Sequence, residues 1–80
     1  MIKKKVYLKS LDVAHVFVDA MSKVTSEVDI KSGRYVVNAK SILGVLSLDI
    51  SQKLDVEFHS DSKDEITYFN NLILPFETHD

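Results

Sequence analysis

Apolar and polar positions along this chain switch between two periods, and the switches predict its elements. Ile2, Val6 and Leu8 alternate with Lys3, Lys5, Tyr7 and Lys9, the alternation of a half-buried strand, while Lys4 breaks the pattern and is expected near a sheet edge. From Val13 the apolar positions become Val13, Val16, Phe17, Ala20, Met21 and Val24, one stripe of a helix with about 3.6 residues per turn. Ser10 stands where an N-cap is needed, and Asp12 suits the positive end of the helix dipole. Val28 and Ile30 alternate with Glu27, Asp29 and Lys31. Ser32-Gly33 then predicts a turn, and Arg34 to Ala39 a returning strand, so the segment reads as a hairpin. Ser41 to Leu48 is a short apolar segment opened by a Ser and closed by Asp49. Leu54, Val56 and Phe58 predict a fourth strand. Ser62-Lys63-Asp64-Glu65 is a capping box for a last helix with Ile66, Phe69, Leu72 and Ile73 on its apolar stripe, ending near Pro75.

The predicted order is β-α-β-β-α-β-α, an α+β open-faced sandwich: a four-stranded antiparallel sheet with helices on one face. Eighty residues, 45% of them apolar, suffice for one domain over 1–80, burying somewhat above ~60% of the unfolded surface, with the tail from about residue 75 expected to be loosely ordered. There is no Cys, so neither disulfides nor thiolate metal sites support the core, as suits a cytoplasmic protein.

Charge and motif content narrow the function by exclusion. Met1-Ile2-Lys3-Lys4-Lys5 resembles the basic start of a signal peptide, but Lys9 and Asp12 interrupt before any apolar run, and no window offers the roughly 18 apolar residues of a membrane span. A net charge of -2 argues against nucleic acid as partner. His15, His59 and His79 share no metal-ligand spacing, so neither metal nor cofactor is expected. Asp61, Asp64 and Glu65 lie at a helix start, where acidic residues belong, rather than forming a catalytic carboxylate pair. Lys31-Ser32-Gly33-Arg34 carries too few glycines for a phosphate loop, and Ser41 has no base at the spacing a nucleophile needs. Nothing here predicts an enzyme.

The block Val-Val-Asn-Ala-Lys-Ser-Ile-Leu-Gly-Val-Leu-Ser-Leu, residues 36 to 48, together with Thr-Ser-Glu-Val-Asp-Ile at 25 to 30 and Leu-Asp-Val-Glu-Phe at 54 to 58, resembles HPr, the histidine-containing phosphocarrier of the bacterial sugar phosphotransferase system. HPr proteins carry phosphate on a His within Gly-Leu-His-[Ala/Thr]-Arg-Pro between the first strand and the first helix, and that stretch is missing here. An ungapped count from the amino terminus puts His15 at the carrier position but demands a deletion of about five residues inside a helix stripe. The other register keeps the stripe and removes the loop, leaving His15 on the polar face with Asp12, Asp19, Ser22 and Lys23. The second is preferred, because six apolar positions constrain a register more than one shared His. It implies a member without the carrier reaction, the alternative being a true carrier that takes phosphate on His15 from enzyme I.

The resemblance implies a second site. In Gram-positive HPr proteins the Ser of the Lys-Ser-[Ile/Leu] stretch is phosphorylated by an ATP-dependent kinase that turns the protein toward catabolite control, and here that Ser is Ser41. A phosphate at a helix N-cap adds about -1.5 to -2 charges at the positive end of the dipole, which the fold tolerates. The following helix docks protein partners in HPr, which implies HPr kinase, a catabolite-control transcription regulator or enzyme I as partners, and Lys40, Ile42 and Val45 as exposed contacts. An interaction domain that retains only the fold is the remaining alternative.

Overall fold

A computed structural model describes residues 1–78, and the expected elements are all present. In chain order they are β1 (Ile2–Val6), α1 (Leu11–Met21), β2 (Val28–Ser32), β3 (Tyr35–Asn38), α2 (Ile42–Leu46), β4 (Leu54–Phe58) and α3 (Lys63–Ile73), followed by a 3-10 turn at Leu74–Phe76 that contains Pro75. The strands form one sheet in the order β1-β4-β2-β3, with every neighbouring pair antiparallel. The molecule is therefore the α+β open-faced sandwich that the two periods predict.

One face of the sheet is apolar because each strand alternates. Val6, Val28, Ile30, Leu54, Val56 and Phe58 are buried on it beneath Phe17, Met21, Phe69 and Ile73 from the helices. Phe58 and Phe69 stack with ring centroids 4.3 Å apart and planes 3° from parallel, joining the middle of the sheet to α3. Phe17 meets Phe76 edge to face at 5.3 Å, joining α1 to the segment after α3. The other face is a lattice of charges. Lys3 lies opposite Glu57 and Lys5 opposite Asp55, while Lys31 Nζ is 2.7 Å from Glu57 Oε2 and His59 Nε2 is 2.9 Å from Asp29 Oδ2. The Lys31 ammonium holds the Glu57 carboxyl below its usual range, and the carboxylate in turn raises the Lys31 pKa. Lys4 lies on the apolar side of edge strand β1, as its break in the pattern predicts. Its stem is half-buried and its ammonium reaches the Glu77 carboxylate at 3.5 Å.

Four expectations need correction. First, α1 sits on the sheet through Ala14, Phe17, Val18 and Met21, whereas Val16 is 58% exposed and Val13 and Ala20 are half-buried. Its eight apolar residues permit several stripes, and packing over the sheet selects this one. Second, the hairpin turn is Gly33-Arg34, one residue later than Ser32-Gly33, since Ser32 still pairs with Tyr35. Gly33 takes φ +59° at the first central position, where a type II′ turn calls for Gly. Third, the Ser62 side chain does cap α3, accepting from Glu65 N–H at 3.3 Å, but the Glu65 carboxylate does not reach back to Ser62. It crosses to Thr25 and Ser26, accepting the Thr25 amide at 3.2 Å and both hydroxyls.

Fourth, the segment from residue 75 to 78 is held rather than loose. Phe76 is buried, Tyr7 N–H donates to Phe76 O at 3.0 Å, Glu77 bridges to Val6, and Thr78 N–H donates to Lys5 O at 2.9 Å. Burial of one aromatic ring and two main-chain hydrogen bonds to the end of β1 explain why the chain is held there. No helix among the described residues is long and apolar enough to cross a membrane.

Candidate functional site

The segment from Asn38 to Leu48 connects β3 to β4 and carries the residues the sequence singles out. Asn38 and Ala39 leave the sheet in a turn in which Ser41 N–H donates to Asn38 O at 3.0 Å and Lys40 N–H to Asn38 Oδ1 at 2.9 Å. This turn delivers Ser41 in extended conformation (φ -108°, ψ 113°) to the start of α2, where its hydroxyl accepts the Gly44 amide at 3.2 Å. Ser41 is exposed, and α2 has no acidic residue in its first turn. A charge added to that hydroxyl would thus meet water and helix amides rather than a carboxylate on its own helix.

Gly44 is what allows this seating. A Cβ there would come 3.3 Å from Val37 Cβ and 3.4 Å from Ser41 Oγ, so a side chain at this position would press α2 away from β3 by a few tenths of an ångström. At the other end Ser47 turns its hydroxyl back to Gly44 O at 2.6 Å and closes the five-residue helix. Between them stands Leu43, 81% exposed.

The expected docking contacts separate. Val45 is not exposed: it is completely buried, pointing under α2 into the core, because a helix this short persists only by burying one side. Ile42 is half-buried and packs against the core. Lys40 is half-buried and tied, its ammonium donating to Val24 O at 2.7 Å just beyond the end of α1. Leu43, missed in the sequence because an unbroken apolar run does not mark its outward member, is the apolar side chain that α2 offers to solvent.

His15 is exposed and is the fifth residue of α1, more than a turn inside the helix. The helix start belongs to Ser10, whose hydroxyl accepts Val13 N–H at 3.3 Å. The connection from β1 is Tyr7-Leu8-Lys9-Ser10 and contains no His. Lys9 takes φ +71° in it, and Ser10 N–H donates to Leu8 O at 2.7 Å, a tight three-residue reversal. Among the described residues no three His, Asp or Glu side chains could together hold a metal ion, and His79 lies outside those residues.

With this geometry in place, comparison with known proteins is specific. The profile of the family described as the PTS HPr component phosphorylation site matches residues 10–77. The crystal structure of HPr-C-His from Thermoanaerobacter tengcongensis is similar with a TM-score of 0.72 and 28% identity, over 92% of this chain and 92% of that one. The phosphocarrier protein HPr from Bacillus anthracis str. Ames shares the fold at a TM-score of 0.70 and 19% identity, over 95% of this chain and 96% of that one.

Proposed function

The chain belongs to the HPr family, and from that premise we propose that it is a regulatory, partner-docking member switched by phosphorylation at Ser41 rather than a histidine carrier. Proteins of this family are phosphocarriers, not enzymes, and the proposed member does no chemistry of its own. The observation that supports the reading best is the connection before α1. Tyr7 to Ser10 contains no His, while His15 stands mid-helix, away from the unpaired amides of the helix start. A phosphoryl-accepting imidazole needs donors to hold the developing charge, and the first turn of α1 contributes Asp12 instead.

At Ser41 the physical conditions differ. The hydroxyl is exposed, and Leu43 stands beside it as an apolar contact for an incoming protein. Because a charge at an exposed helix end is worth only ~0.3–1 kcal/mol, a phosphate here changes what the surface binds more than it changes stability. Ser41, Leu43 and the exposed part of Ile42 form the docking element, with Lys40 bracing it against the end of α1. The partners of this reading are proteins of the sugar phosphotransferase system and its control: HPr kinase, a catabolite-control transcription regulator or enzyme I, in a bacterial cytoplasm.

Two incubations test it. With enzyme I and phosphoenolpyruvate the protein is expected to take no acid-labile phosphate; such phosphate on His15 overturns the reading in favour of a carrier. With ATP and the family's kinase, acid-stable phosphate is expected at Ser41 and is expected to vanish in Ser41→Ala. Its absence from the unaltered protein leaves an interaction domain that has kept the fold alone.

A further inference from the structure

On one flank of α1, a groove runs between that helix and the end of α3. It has a volume of about 370 Å³ and is lined by Val13, Val16 and Ala20 on one wall and Leu72, Pro75 and Phe76 on the other, with Tyr7 and Lys9 at the remaining positions. The residues Val13, Val16 and Ala20 are the half of the sequence's apolar stripe that the sheet does not use. Ala14, Phe17, Val18 and Met21 fill the core and Val13 and Ala20 pack partly against it, so α1 carries its apolar face past the sheet onto a flank that Val16 extends into solvent. Val16, 58% exposed, keeps part of that surplus face in water.

The groove has one charge, and its position is informative. Lys9 immediately precedes the cap of α1, and its ammonium makes no ion pair with any described residue, unlike Lys4, Lys5 and Lys31, which all have carboxylate partners. Ala20 lies nine residues beyond Leu11 on the same helix, so the apolar wall runs about 14 Å away from the cationic end. A cation at one end of a short apolar trough matches a ligand with an anionic head and an apolar tail. The volume falls in the range of small-ligand sites, which span roughly 300–1,000 Å³. A protein helix, by contrast, would bring polar groups along its whole length to a wall whose side chains, apart from Tyr7 and Lys9, are all apolar.

We propose that the groove between α1 and the Leu72–Phe76 segment is a binding site for a small anionic amphiphile, a carboxylate on an unbranched acyl chain, with Lys9 as its head-group partner and Val13, Val16, Ala20 and Leu72 as the tail contacts. The site is independent of Ser41 and of docking on α2. The tail gains by leaving water, and the carboxylate gains a charge-assisted hydrogen bond.

Titration of the ¹⁵N-labelled full chain with sodium decanoate, kept below its self-association concentration, tests this. Saturable amide shifts are expected at Val13, Val16, Ala20, Leu72 and Phe76 and not around Leu43. Affinity is expected to fall about tenfold in Lys9→Met, the scale of one hydrogen bond to a charged group, and similarly for decyltrimethylammonium in place of decanoate. Val16→Asp, at an exposed position that leaves the fold intact by circular dichroism, is expected to abolish the shifts. Absence of saturable shifts, equal binding of the cationic amphiphile, shifts centred on Leu43, or dimerisation through the same residues without ligand would each overturn the proposal.

Discussion

The carboxylate of Glu65, in the first turn of α3, accepts the hydroxyl of Ser26, thirty-nine positions earlier in the chain, and so fastens the last helix to the connection between α1 and β2. Thr25 adds its amide and hydroxyl to the same carboxylate. The arrangement resembles a cap supplied in reverse: the helix provides the anion, and a loop provides the donors.

Acid sensitivity follows from that contact. The hydroxyls of Ser26 and Thr25 hold the Glu65 carboxyl down to about 2. A carboxyl whose folded pKa lies below its unfolded value stabilises the fold fully above the ordinary carboxylate range, and this stabilisation is lost as pH falls through that range toward the folded value. Asp49, lowered by the Ser51 hydroxyl and amide, and Glu57, lowered by Lys31, act with the same sign. The urea midpoint is therefore expected to fall steadily from pH 5 to pH 2, and Glu65→Gln to have a lower midpoint at pH 7 and a flatter profile below it. Parallel profiles for the two proteins would show that Glu65 contributes nothing to the acid response.

The Phe58–Phe69 stack predicts a large core penalty. Phe69→Ala removes a fully buried ring that faces another at 4.3 Å and is expected to cost ~3–5 kcal/mol, against a total of about 5–15 kcal/mol for an ordinary domain. Phe69→Leu, which keeps most of the volume, is expected to lose clearly less. Urea unfolding at pH 7 followed by far-ultraviolet circular dichroism gives both values, and a loss below about 1 kcal/mol for the Ala variant would contradict the packing described.

Neighbouring apolar residues of α2 should behave oppositely. Leu43→Asp is expected to leave stability within about 0.5 kcal/mol, since the side chain is 81% exposed, while abolishing the proposed binding of HPr kinase to α2. Val45→Ala is expected to destabilise by on the order of 2 kcal/mol while leaving the docking surface intact. Thermal unfolding and a binding titration with HPr kinase, run on both variants, separate the two roles. A Leu43→Asp protein that still binds would remove Leu43 from the docking element.

Gly44 should resist the usual helix improvement. Gly to Ala inside a helix ordinarily gains about 1 kcal/mol, but the new methyl would stand 3.3 Å from Val37 Cβ on β3, which the sheet holds in place. Gly44→Ala is expected to lower the unfolding midpoint slightly and to disturb the Ser41 cap, visible as a shift of the Gly44-position amide. A gain in stability would mean that α2 can back away from β3 freely.

How far the sequence foretold this molecule depends on how much each inference needed from a distance. The strands and the order of elements were legible because alternation and the helical period differ, and because Ser10, Ser41 and Ser62 each stand directly before their helices. The rotation of α1 was not, since eight apolar residues in eleven leave several stripes open until the sheet chooses. Within Ile42 to Leu46 no polar residue marks the outward face, so Val45 and Leu43 could exchange roles on paper. The Glu65 clamp spans some forty residues of chain, and the local capping-box pattern offered a nearer, incorrect partner. Of the candidate site, Ser41 and its cap could be read directly, while the exposure of Leu43 and the tethering of Lys40 required the tertiary fold.

The links from Phe76, Glu77 and Thr78 to β1 bear on self-association. A four-stranded sheet has two lateral borders where unpaired main-chain groups can recruit a strand from another molecule. At β1 part of this border, at Lys5, Val6 and Tyr7, is occupied by residues 76–78. Among the described residues, no such cover lies along the outer edge of β3, four residues long. Cutting the protein after Pro75, or displacing residues 76–78 with a stiff fusion, would bare the β1 border and strip Lys4 of its Glu77 partner, leaving the charges of Lys3, Lys4 and Lys5 to oppose fibril-like stacking.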